Sequence, residues 1–223
     1  MIICAIPYQL GISRVINCDG QRFFIKFAGA PTDRGIGTSD DAVARLKANL
    51  PAYTDLQHNT LIELVEAKDI GGGFAMVFKW VDGDCIGRMY PAAHRRFMRL
   101  PIEDKLTVFR DILSFFEYVA SQSYVAIDFF RKQPCTNDMG RMWGSSRFQS
   151  PEEFQLGAVI DEITNVYTVG AIAFALFGGY NRTRDKWQLS DKLFEVAAKA
   201  VSDDREQRQQ SIRQMREEWE TIL

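Results

Sequence analysis

The sequence predicts an α+β fold in which a small β-rich lobe, residues 1–83, precedes a larger helical lobe, residues 84–223. Three observations predict it. Residues 12–27 hold two apolar runs, ISRVIN and QRFFIKFA, joined by Cys18-Asp19-Gly20. An Asp-Gly step between alternating apolar residues is a strong hairpin signal, because the tight turn needs positive φ at both central positions. A second pair, TLIELVEAKDI and GFAMVFKWV, is joined around Gly71-Gly72-Gly73. Beyond Gly83 the period changes, and IEDKLTVFRDILSFFEYVAS, residues 102–121, places Leu106, Phe109, Ile112, Leu113 and Phe116 on one stripe of a helix.

The remaining elements follow in order. Between the hairpins, TSDDAVARLKANL offers Thr38 or Ser39 as a helix cap and puts Val43, Leu46 and Leu50 on one face, with Pro51 set to end or kink the helix. After the long helix, YVAIDFFRKQPC, residues 124–135, reads as buried strand with one carboxylate, Asp128, between Ile127 and Phe129. An ionised Asp there loses hydration and needs a hydrogen bond, a cation or a metal in compensation. An irregular stretch runs to about residue 150. Helices are expected near 164–177, 189–201 and 206–221. No repeat, low-complexity tract or long linker interrupts the chain.

Composition narrows the function classes. With 46% apolar residues and 12% aromatics the chain can pack a core. Its 27 Lys and Arg against 29 Asp and Glu leave a net charge of −2, which favours neither nucleic acid nor an anionic membrane surface. Cys4, Cys18, Cys85 and Cys135 are far apart, with no CxxC pair and no His at zinc-finger spacing, so reduced thiols are expected. MIICAIPYQL lacks a basic leader, and the longest apolar run, residues 166–179, is too short to cross a bilayer. A cytoplasmic protein without a membrane partner is the expectation.

The order of elements, with Lys26 in FFIKFA on the strand, resembles the protein kinase superfamily, in particular bacterial Ser/Thr protein kinases. The likeness is carried by GSSRFQSPEEFQLGAVIDEITNVYTVGAIAFALFGG, residues 144–179. Gly144 and Ser145 fit the Gly-Thr of the substrate-docking loop, Ser150-Pro151-Glu152 fits the APE motif, and Asp161 with Tyr167 to Gly170 fits the segment entering the central helix. DDREQRQQS resembles the D-x-x-R segment, so the resemblance implies a structural ion pair between Arg208 and Glu152.

A two-lobed protein-kinase-like fold is therefore expected, with transfer of the ATP γ-phosphoryl group to a protein hydroxyl and Mg²⁺ as cofactor. Lys26 would hold the α- and β-phosphates. A lone strand lysine is more often a snorkelling surface residue, but its place two runs before the hinge-like MVFKWVDGD favours the phosphate role. Phe78 would be the gatekeeper, the backbone of Lys79, Trp80 and Val81 would bind adenine, and Gly11 is what remains of the glycine-rich loop. Asp128 matches the acid of the HRD loop, with Ala126 and Ile127 in place of His and Arg, and would orient the acceptor hydroxyl. Without that Arg, switching by activation-loop phosphorylation is not expected.

The chain also departs from the family. Gln133 stands where a metal-binding Asn is expected, Asp138 is the next acid, and two strands of ~5 residues with their turns do not fit between Asp128 and the docking loop. Ile127-Asp128-Phe129 equally fits the DFG site, where Asp128 would hold Mg²⁺, and one carboxylate cannot serve both positions. Phe24 takes the place of an Ala that packs on adenine, Asn49 falls where the helix glutamate that pairs with Lys26 is expected, and Asn165 replaces an Asp, which should weaken anchoring of the catalytic loop. Three readings stand: a Ser/Thr protein kinase, a pseudokinase that binds nucleotide or docks a protein partner, and a small-molecule kinase, against which the SPEE segment and Arg208 argue.

Overall fold

The computed structural model describes residues 12–30, 38–83, 90–127, 129–142 and 144–223, and the fold is α+β. The chain divides into two compact units. The smaller gathers the described residues up to Asp82 together with 129 and 130, and the larger comprises Gly83–Ile127 and Arg131–Leu223.

The smaller unit is a four-stranded antiparallel sheet with two helices. Its strands are β1 (Ile12–Cys18), β2 (Gln21–Ala28), β3 (Leu64–Ile70) and β4 (Gly73–Lys79), in the order β1-β2-β4-β3. Both hairpins close on two residues with positive φ, Asp19 at 51° and Gly20 at 79°, and Gly71 at 54° and Gly72 at 82°. That is the turn whose twist matches the flanking strands. Helix α1 (Ser39–Ala48) starts at a capping box: the Asp41 N–H donates to Thr38 Oγ1 at 3.1 Å and the Thr38 N–H to Asp41 Oδ2 at 2.8 Å. Pro51 stands in the first turn of a second helix, α2 (Leu50–Asp55), where its missing N–H costs nothing. Lys47 of α1 pairs with Asp69 of β3 at 2.5 Å and lies 5.2 Å from the Phe74 ring centre.

The rest of the chain forms α3 (Pro91–Met98), α4 (Ile102–Ser121), short strands β5 (Tyr124–Ala126), β6 (Phe130–Lys132), β7 (Cys135–Thr136) and β8 (Val159–Ile160), then α5 (Glu162–Phe177), α6 (Asp191–Ala200) and α7 (Ile212–Glu220), all in the larger unit except the first residue of β6. The pairs are β5 with β6 and β7 with β8. Helix α5 is apolar around nearly its whole circumference, as a helix enclosed by others must be. Gly170 lets α6 approach it: a Cβ there would stand 2.6 Å from the Ala200 Cβ. Phe109 and Phe177 meet Trp219 at 4.6 and 6.0 Å between ring centres, and Trp187 joins them, so aromatic area dominates this core.

Buried Lys105 of α4 donates to the Met98 carbonyl at 2.9 Å and so closes the C-terminal end of α3. Burial pushes the pKa of this lysine down. Cys18 and Cys135 are free thiols. Among the described residues no helix is long and apolar enough to cross a membrane.

Two expectations are corrected. Residues 124–135 do not form one strand but two runs of three residues and the start of a third, with only three residues between β5 and β6. The last helix begins at Ile212, not 206, because Arg205–Gln207 forms a 3₁₀ turn capped by Asp204 and Ser211 caps the helix proper. Helix α3 was not singled out by the sequence.

Candidate functional site

Gly11 and Asp128 lie outside the described residues. The other predicted residues fall into two groups, one in each unit.

In the smaller unit, Lys26 sits in the middle of β2, opposite Ser13 on one side and Met76 on the other. Residues directly opposite in an antiparallel pair share a face, so Phe24, Lys26 and Ala28 line up with Phe78, Met76 and Phe74. Lys26 is 1% exposed, which removes the snorkelling alternative. A lysine of this burial must have its ammonium compensated by a polar or charged group. Phe78, also 1% exposed, meets the Tyr53 ring edge to face at 5.0 Å and Phe24 at 6.2 Å. Asn49, the residue at the expected place of a glutamate, is buried and donates its amide to the Arg45 carbonyl at 2.9 Å, ending α1.

The 79–81 segment is more restricted than its sequence suggests. The Lys79 N–H donates to Glu63 O at 3.0 Å and the Trp80 N–H to Arg22 O at 3.3 Å. Arg22 also stacks on the Trp80 ring at 5.2 Å and pairs with Asp82 at 2.6 Å, while the Trp80 indole donates to the same carboxylate at 3.0 Å. Two of the three backbone donors are therefore occupied. Val81 carries the N–H that no described residue uses.

In the larger unit, Glu152 and Arg208 meet as a bidentate pair, Nη1 to Oε1 at 2.8 Å and Nη2 to Oε2 at 3.0 Å, with side chains 5% and 0% exposed. Arg208 Nε donates to Ser202 O at 2.7 Å, and the guanidinium lies 5.0 Å from the Tyr167 ring centre. Sequence reasoning missed Arg205, which donates to Glu152 Oε1 at 3.0 Å and forks onto both Asp161 oxygens at 2.8 and 2.9 Å. The signal was present: residues three apart across a 3₁₀ turn project on the same side, so Arg205 and Arg208 reach one target. Thr164 completes the set through its hydroxyl, 3.1 Å from Glu152 Oε1. Burial pushes the Glu152 carboxyl up, but the bonds and charge of Arg208 and Arg205 outweigh it and hold the group below the ordinary range. Neighbouring Glu153 has no such partners. Burial and the Glu152 charge push it up to about 7, although the Ser150 N–H and hydroxyl donate to it at 2.7 and 3.1 Å.

Ser145 is exposed on the loop ahead of this network, and its carbonyl accepts from the Phe148 N–H at 2.9 Å. Asn165 makes a two-sided contact with the backbone of β5. Its Oδ1 accepts from the Ala126 N–H at 2.9 Å and its Nδ2 donates to the Ala126 carbonyl at 2.6 Å, so the end of β5 is firmly tied to α5. Among the described residues no group of three or more His, Cys, Asp or Glu is placed to hold a metal ion. Neither a protein-family model nor a curated protein matches this sequence.

Proposed function

We propose that this chain is a two-lobed, protein-kinase-like protein of the bacterial Ser/Thr type that binds ATP and carries its γ-phosphoryl group to a protein hydroxyl. The observation that supports this best is Lys26, a fully buried lysine at the centre of a small antiparallel sheet, beside a gatekeeper-like Phe78 and a segment with one N–H that no described residue uses. In this reading Lys26 offers its ammonium to the α- and β-phosphates, and the Val81 N–H donates to the adenine edge. Asp128 would accept the acceptor hydroxyl's hydrogen bond and take up its proton as the hydroxyl oxygen attacks the γ-phosphorus. The new P–O bond forms as the bond to the β-phosphate oxygen breaks, and ADP leaves with that electron pair. Mg²⁺ would supply charge neutralisation on the phosphates.

A second reading, a pseudokinase that binds nucleotide or docks a protein without transfer, is favoured by the three-residue connection between β5 and β6. That connection carries one carboxylate, Asp128, where transfer needs an acceptor-orienting acid and a metal-binding acid.

ATP titration with and without Mg²⁺, followed by melting temperature and autophosphorylation, tests both. ATP at 100 times its Kd should stabilise the fold by about 2.7 kcal/mol. Lys26→Met and Val81→Pro should each weaken ATP by about tenfold, the worth of one good hydrogen bond. Asp128→Asn should abolish transfer at unchanged ATP affinity if it orients the acceptor, and should weaken Mg²⁺-ATP if it holds the metal. ATP binding without any transfer selects the pseudokinase. Failure of ATP to bind, or binding unaffected by Lys26→Met, refutes the nucleotide site.

A further inference from the structure

A groove of about 390 Å³ opens in the larger unit, walled by Phe174 and Ala171 of α5, by Gly179-Tyr180-Asn181 beyond that helix, and by Arg147 and Arg182. Its two guanidinium groups are placed differently. Arg182 is held from behind, donating Nη1 to the Tyr167 hydroxyl at 2.8 Å and Nη2 to the Arg147 carbonyl at 3.2 Å, with its charge 5.1 Å from the Tyr167 ring centre. Two of its five N–H donors are used in this way. Arg147 stacks on the Tyr180 ring at 5.5 Å and makes no side-chain hydrogen bond within the described residues. Neither arginine meets a carboxylate among those residues, whereas Arg205 and Arg208 of the same unit are both neutralised by acids.

The Gly179-Tyr180 wall, on which Arg147 stacks, has an unusual backbone. Tyr180 has φ of +71° and follows Gly179 at +58°, and a bulky residue there is sterically disfavoured. It is kept in place because the Phe174 carbonyl accepts both the Gly178 N–H at 2.9 Å and the Tyr180 N–H at 3.0 Å. The Tyr180 ring packs on His94 and Phe148 at 5.9 and 6.3 Å, which sets it as a stacking platform under Arg147.

The geometry points to an oxyanion site: the groove receives the carboxylate or phosphoryl group of an acidic side chain on a peptide segment, clamped by Arg147 and Arg182. Planar, forked donors suit both oxyanions. A groove of about 390 Å³ has room for more than a bare ion. The aromatic walls and the open rim fit the remainder of a peptide, and the groove lies beside the loop that exposes Ser145. Nothing in this inference requires nucleotide chemistry.

Fluorescence anisotropy of the full chain tests it, with short dye-labelled Gly/Ala/Ser peptides bearing one central phosphoserine, glutamate or lysine, and no ATP. The expected order is phosphoserine, then glutamate, with no binding of the lysine peptide and a loss of affinity with added salt. Arg147→Gln, which breaks no buried bond, should weaken the phosphoserine peptide by about tenfold. Arg182→Gln should do the same, with its melting temperature measured beside it because the Tyr167 bond is lost. Equal binding of the lysine peptide, or an unchanged affinity in Arg147→Gln, overturns the site. Inorganic phosphate competing at the same molar concentration as the phosphoserine peptide overturns the peptide assignment.

Discussion

Glu152→Gln should destabilise the larger unit more than Arg208→Met does, although the first change is smaller in shape. The reason is which charge is stranded. In Glu152→Gln the Arg208 guanidinium, 0% exposed, loses its carboxylate and is left with the Ser202, Asp203 and Ile163 carbonyls and the Tyr167 ring. An uncompensated buried charge costs about 3 to 5 kcal/mol. In Arg208→Met the Glu152 carboxylate still has Arg205 at 3.0 Å and the Thr164 hydroxyl at 3.1 Å. The loss is then about 2 to 3 kcal/mol, the worth of the missing charged hydrogen bonds and of the unpaired Ser202 carbonyl. The double variant removes both charges together and should cost at least about 1 kcal/mol less than the sum of the singles. Urea unfolding monitored by tryptophan fluorescence measures all three, since Trp187 and Trp219 sit in the core of this unit. An Arg208→Met loss larger than that of Glu152→Gln, or strict additivity, would refute the stranded-charge account.

Two other outcomes follow from single residues. Glu153 titrates at about 7 in the fold and near 4.5 when unfolded, so between these values the folded state binds the extra proton and stability falls as pH rises, by up to about 3 kcal/mol. Glu153→Gln should flatten that window in a pH series of melting temperatures while keeping the acid limb due to Glu152, whose depressed pKa has the opposite sign; coincident wild-type and variant profiles would exclude a buried, protonated Glu153. Gly170→Ala gains about 1 kcal/mol of helix propensity but forces a methyl against Ala200, Val201 and the Ala197 carbonyl, an overpacking worth about 1 to 3 kcal/mol, so a net loss is expected; a raised melting temperature would mean that α5 and α6 yield easily.

Local rules made much of the fold legible. Asp19-Gly20 and Gly71-Gly72 announced their turns because few residue pairs tolerate two positive φ values, and the stripe on residues 102–121 marked α4 to its ends. The misses have physical causes. Residues 124–135 are apolar enough for one strand, but such a run does not reveal where pairing partners change: β5 turns back onto β6 across three residues, while β7 pairs with the distant β8. DDREQRQQS has helical composition, yet Asp204 and Ser211 each cap a separate turn, and capping by short polar residues competes with continuing a helix. The strand positions of Lys26 and Phe78 were legible from the hairpins, and the Glu152–Arg208 pair from motif spacing. Arg205 was overlooked although it stands three residues before Arg208 on the same turn, because the D-x-x-R spacing singles out one arginine of the two. The occupied donors of Lys79 and Trp80 were equally hidden, since they depend on Glu63 and Arg22 folding alongside.

The Asn165 amide that grips Ala126 is a neutral, two-sided contact, and its neutrality has a consequence for what could replace it. An aspartate there would still accept the Ala126 N–H, but its second oxygen would face the Ala126 carbonyl, and two acceptors repel. The acid expected at this position from the kinase resemblance would thus be the misfit in this chain, while the amide matches both backbone groups of one residue. Having no proton to gain or lose, it holds the end of β5 equally at acid and alkaline pH and is indifferent to added salt. Any pH or salt dependence of the protein's stability therefore has to arise somewhere other than at this clasp.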